Sequence, residues 1–206
     1  MKTAQWARMK GVSPEPVLAA IKSHKTPYAR DAAEIATRAL VLQGVVATGC
    51  GVDAEPITKW FKSQGLWKAV TANEKKFLAN SRPSEKECGK FHWHQEAEWT
   101  LLWMIRKVDV LGLPTHGCDT KRLVDEIIPA LGSNVSEFIH GAKLRSPGEI
   151  LNEDDRTYNL WCYANIARRK GEELPEDLNL GLLYERRYAF EWMDGNQEWD
   201  AVTCDA

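Results

Sequence analysis

Over residues 28–48 the apolar positions Ala32, Ile35, Ala39, Leu42 and Val46 recur at alternating steps of three and four. That spacing lines one face of an α-helix and does not match the two-residue alternation of a strand. It predicts a helix over 28–48 stopped at Gly49. The period is denser over 91–111, where Trp93, Ala97, Leu101, Met104, Val108 and Leu111 form one stripe. Trp99, Leu102, Trp103 and Ile105 make the middle of that segment apolar on other sides too. A helix apolar nearly all round belongs at the centre of a fold.

Capping chemistry marks the remaining elements. Ser13-Pro14-Glu15-Pro16 precedes a short apolar face of Val17, Leu18 and Ile21, which predicts a modest first helix. Residues 55–61 and 67–78 read as two short helices, the second with the capping box Thr71 and Glu74. The charged run 81–89, with Pro83, reads as a loop. Asp119 is placed to cap a helix reaching Leu131, and residues 133–140 form another. Ser146, Pro147 and Glu149 open a long helix that Gly171 ends, and Asn179 caps a last one over 180–193. No segment sustains an alternation of apolar and polar residues. The expected fold is therefore all-α, an orthogonal bundle of about seven to nine helices around the tryptophan-rich central one. One domain over 1–206 is expected, with 1–26 as an N-terminal extension helix packed on it.

Composition narrows the function classes. The 44% apolar and 27% charged residues are those of a folded globular chain. A net charge of −2 from 27 basic and 29 acidic residues, intermixed, offers no basic patch for nucleic acid. Five scattered cysteines without a C-x-x-C pair fit free thiols in a reducing compartment. No apolar run has the length of a signal peptide core or a membrane span, so a cytoplasmic location without membrane association is expected.

Several polar clusters invite chemistry. Within a helix, His92 and Glu96 lie one turn apart, as do His94 and Glu98, and such a pair can ligate a metal or exchange a proton. The alternative leaves both histidines in solvent near a helix start, with the glutamates favoured there by the helix dipole. His92 and His94 are thus weak metal candidates, because H-E-x-x-H is absent. His116 and Cys118 supply only two ligand types, and Asp119 has its capping task. One of Asp154 and Asp155 is expected to point inward and to need a partner. Glu185-Arg186-Arg187 interrupts an apolar helix face, either as a polar site with Arg186 gripping a carboxylate or as an internal ion pair. No nucleophile elbow or phosphate loop is present, and no cofactor is called for.

A set of these residues resembles the domain-of-unknown-function family 4272. It comprises Trp93-His94-Gln95-Glu96-Ala97 with Trp103, Leu113-Pro114 before Cys118-Asp119, Arg145 to Leu151 leading to Trp161, Tyr184-Glu185-Arg186 with Ala189 and Trp192, and the tail Trp199-Asp200-x-Val202-x-x-Asp205. The similarity runs from Arg38 to the C-terminus. It implies an all-α protein of a family widespread in bacteria, and supplies neither substrate nor cofactor. Leu160, Glu191 and Ala206 stand where members often carry His, Asn and Thr. The positions carried over are Trp93, Glu96, Trp103, Trp161, Glu185, Arg186, Trp192, Trp199, Asp200 and Asp205.

Two functions follow as expectations. The first is a non-catalytic binding protein with a protein partner, using tryptophans and the charged cluster. The second is an enzyme, metal-assisted, using Glu96, Glu185, Arg186 and Asp200. A purely structural role for the same residues stands beside both. A tail folded back so that Asp200 and Asp205 meet Arg186 would join the set into one cluster.

Overall fold

The computed structural model describes residues 29–174 and 178–204, and among these every regular element is helical. The helix expected after Ser13 lies outside them. Helix α1 (Ala32–Gly49) begins at a capping box of Asp31 and Glu34, so it starts later than the apolar period implied. It is buried on nearly every side, Arg38 and Gln43 included, and shares the central position with the helix over residues 85–104. Gly44 admits Phe61 and Ile57 of α2 (Ala54–Ser63), since a Cβ there would lie 2.4 Å from the Phe61 ring.

A 3-10 turn (Leu66–Ala69) leads to α3 (Ala72–Ala79), capped by the Thr71 and Glu74 box. Helix α4 (Glu85–Met104) opens inside the charged run expected to be a loop, because Ser84 and Glu87 form a further capping box. It also ends before Leu111. Arg106 adopts a left-handed conformation (φ 61°), and Arg145 lies over the freed carbonyls. Its guanidinium donates to the oxygens of Trp103 (2.7 Å), Val108 (2.8 Å) and Asp109 (2.9 Å) and stacks on the Trp103 ring. A cation at a helix C-terminus satisfies both the orphan carbonyls and the dipole. Val108 and Leu111 remain core residues without belonging to the helix.

Asp119 caps only the short α5 (Thr120–Arg122), which continues as a π turn (Leu123–Ile127) rather than a helix to Leu131. Pro129 two residues on cannot continue a helical ladder. After α6 (Ser136–His140), α7 (Pro147–Lys170) and α8 (Leu180–Met193) follow with the caps Ser146, Gly171 and Asn179 that the sequence indicated. A 3-10 turn (Trp199–Ala201) then docks the tail. Most of the core lies among α1, α4 and α8, while Leu160, Ala164, Leu178 and Leu183 form a smaller cluster where α7 meets α8. Among the described residues no helix is long and apolar enough to cross a membrane.

Candidate functional site

Helices α4 and α8 are joined by two buried polar pairs. Successive helical residues turn by 100°, so His94 and Glu96 stand on opposite flanks of α4 with Ala97 between them. Glu185 and Arg186 likewise straddle the facing side of α8. On one flank His94 Nδ1 lies 2.8 Å from Glu185 Oε2. On the other, Arg186 Nε donates to Glu96 Oε1 at 2.8 Å, and its terminal nitrogens donate to the carbonyls of Gly112 (2.9 Å) and Leu111 (3.2 Å). The second Glu96 oxygen accepts the Cys118 backbone N–H at 3.0 Å. Glu96 and Arg186 are each 3% exposed. The grip of Arg186 on a carboxylate is thus internal, and it ties the irregular 111–118 segment to both helices.

A parallel junction joins α7 to α8. Arg187, also buried, donates to Asp154 (3.2 Å) and to Glu191, and lies over the Tyr158 ring. Asp154 is the inward member of its pair and Asp155 is exposed. All three residues of Glu185-Arg186-Arg187 are therefore buried, where the pattern required only one near the apolar face. Glu98 differs from the rest. It is fully buried, and neither of its oxygens meets a hydrogen-bond partner among the described residues. Burial raises its carboxyl well above the usual range.

The one-turn pairings of His92 with Glu96 and of His94 with Glu98, the less favoured of the two readings, are not formed. His94 turns to Glu185 and packs against the rings of Phe91, Tyr188 and Trp199, leaving Glu98 alone. His92, exposed, meets Cys50 Sγ at 3.1 Å, and Glu96 is held by Arg186. The alternative holds only in part: His92 is exposed and His94 buried, and neither is at a helix start, since α4 begins seven residues before His92. Among the described residues no group of three or more His, Cys, Asp or Glu is placed to hold a metal.

The tail docks elsewhere than expected. Asp200 Oδ2 accepts the Asn73 backbone N–H at 2.9 Å, near the start of α3, where the helix dipole favours an anion. Arg186 is already engaged, so the proposed meeting of Asp200 and Arg186 does not occur; Asp205 lies outside the described residues. Trp199 instead fills a pocket between Trp192, Tyr188 and His94, with the Arg38 guanidinium 4.7 Å from its ring. Arg38 in turn pairs with buried Glu74. Of the remaining tryptophans, Trp103 is the platform for Arg145, and Trp161 packs on Tyr184 with its buried Nε1 unpaired among the described residues. The Arg38–Glu74 pair escaped notice in the sequence, although an arginine amid the α1 apolar stripe is a visible signal.

The Glu96 edge of this network reaches a cleft. A space of about 260 Å³ between α4, the 117–120 segment and the start of α8 is lined by Trp93, Glu96, Cys118, Thr120 and Asn179 among others. Trp93 is 46% exposed. Its ring edge lies close to the first turn of α8, where a Cβ on Gly181 would come within 2.8 Å of it. Burial, reinforced by Glu96, pushes the Cys118 thiol far above its usual value, so it stays protonated.

The model of a domain of unknown function, DUF4272, matches residues 2–202, and the chain belongs to that family. The match begins well before Arg38. No curated protein and no solved structure matches the chain.

Proposed function

We propose that this family member is a non-catalytic, bacterial, cytoplasmic binding protein that takes a protein partner at the Trp93 cleft. The observation that carries the reading is a contrast. Glu96, Glu185 and Arg186 are buried against one another, His94 and backbone carbonyls, whereas Trp93 stands half-exposed beside polar Thr120 and Asn179. An aromatic anchor with a polar rim is the arrangement that dominates interface energetics. The buried pairs then serve to hold α4 and α8 in register and so keep the anchor preorganised. The protonated Cys118 thiol is a poor nucleophile. The enzymatic alternative draws less support, because Glu96, Glu185 and Arg186 are buried and engaged with one another, His94 and backbone carbonyls, while Asp200 accepts from the Asn73 backbone. Five free cysteines favour a reducing compartment.

Photo-crosslinking in the native host tests the reading. A crosslinking residue at Thr120 is expected to capture a defined protein, and one at exposed Val110 is not. Trp93→Ala should abolish the adduct without lowering the melting temperature by more than a few degrees. Equal capture at both positions, no capture at Thr120, or an adduct indifferent to Trp93→Ala would overturn it.

A further inference from the structure

We propose that Cys50 is a site of oxidation by hydroperoxides and that Cys88 resolves the product into an intrachain disulfide. The observations are independent of the Trp93 cleft. Cys50 is the C-cap of α1 and is exposed. Its Sγ lies 3.1 Å from His92 Nδ1, within reach for proton transfer. Cys88 is half-buried and precedes His92 by one helical turn on α4. Helical side chains lean toward the N-terminus, so the imidazole that meets Cys50 lies over the turn bearing Cys88. The two backbones also approach closely here. A Cβ on Gly49, the neighbour of Cys50, would be 3.0 Å from the Cys88 carbonyl oxygen, a close approach that glycine accommodates without displacement. Burial first, and then the nearby Cys88, raise the Cys50 thiol above its ordinary value.

A thiol that holds its proton needs a base to become a nucleophile, and His92 is the base in contact. In the first step His92 takes the Cys50 proton, the sulfur attacks the peroxide, an S–O bond forms and the O–O bond breaks. The sulfur loses two electrons, and the departing hydroxide takes the proton from His92 to leave as water. In the second step Cys88 attacks the sulfenic sulfur, the S–S bond forms, the S–O bond breaks, and the Cys88 proton leaves with the hydroxyl as a second water. Two thiols and one hydrogen peroxide thus yield one disulfide and two waters. Cys162 is buried and has no such route.

The full chain treated with a small excess of hydrogen peroxide, alkylated and mapped by mass spectrometry without reduction, tests this. The Cys50–Cys88 disulfide is expected as the main product, with Cys162 unmodified. In Cys88→Ser, Cys50 should be trapped as a sulfenic acid adduct by dimedone. His92→Asn should slow the loss of the Cys50 thiol at least about tenfold while circular dichroism and melting stay those of the parent. A different principal disulfide, no dimedone adduct in Cys88→Ser, or a Cys50 rate unchanged by His92→Asn in a folded protein would each overturn the proposal.

Discussion

Replacing Glu98 by methionine is expected to stabilise the protein at neutral pH. The side chain has no exposed surface and no hydrogen-bond partner among the described residues, and burial raises its carboxyl well above the usual range, which favours the neutral form. A neutral polar group buried without a partner costs about 1–3 kcal/mol. Methionine keeps a similar length and removes the polar tip. The pH dependence has a definite sign. Unfolded glutamate ionises near pH 4.3, while the folded carboxyl keeps its proton, so folding takes up a proton above that pH. The stability associated with Glu98 is therefore fully present below about pH 4 and falls by up to about 1.4 kcal/mol per pH unit until the folded carboxyl itself ionises. Urea unfolding of the parent and Glu98→Met across a pH series isolates this group, because all other titrations are common to both. The advantage of Glu98→Met should be smallest in acid and widen as pH rises, shifting the melting temperature by about 2–4 °C per kcal/mol. A pH-independent difference, or a loss of about 3–5 kcal/mol in Glu98→Met at pH 7, would refute the reasoning, since the latter is the mark of a broken buried charge pair.

Arg186→Met should cost about 3–5 kcal/mol in urea unfolding, because it leaves Glu96 buried and uncompensated; adding Glu96→Gln should recover part of the loss. Arg145→Ala frees the carbonyls of Trp103, Val108 and Asp109, so amide hydrogen exchange over residues 105–112 should accelerate more than in α7. Ser146→Ala should cost about 1 kcal/mol as a lost N-cap. Hydrogen bonds from Ser146, with help from Arg145, hold the Glu149 carboxyl down to about 2, and carbon NMR of Ser146→Ala should show it titrating nearer the ordinary range. The stability tied to Glu149 is present above its unfolded value and is lost as pH falls through the lowered one.

What the residue pattern made legible was local. Ser146, Gly171 and Asn179 act within a few residues of themselves, and each marks a boundary that the sequence indicates; Thr71 is a cap as well, but it splits the span 67–78, expected as one helix, into a 3-10 turn and α3. The box of Ser84 and Glu87 obeys the same rule, yet it sits among charges behind Pro83 and was read as loop. The end of α4 was illegible for another reason: Arg106 has no glycine to announce its left-handed turn, and the stabilising Arg145 lies 39 residues further on in the sequence. Partner choice was the other limit. Arg186 was identifiable as a carboxylate grip, but whether Glu96 or Asp200 filled it depended on how α4 and the tail pack, which no periodicity encodes.

The docking of Trp199 carries a consequence in time. Its ring lies against Arg38 of α1, and the hydroxyl of Tyr188 donates to its carbonyl oxygen, so α1 cannot acquire its finished surroundings until residue 199 has been made. At ribosomal rates of about 5–20 residues per second, the wait between the two is roughly ten to thirty seconds. During that interval the nascent chain presents the apolar flanks of α1 and α4 unsealed, and a pause or truncation before Trp199 leaves them open to chaperones or to aggregation.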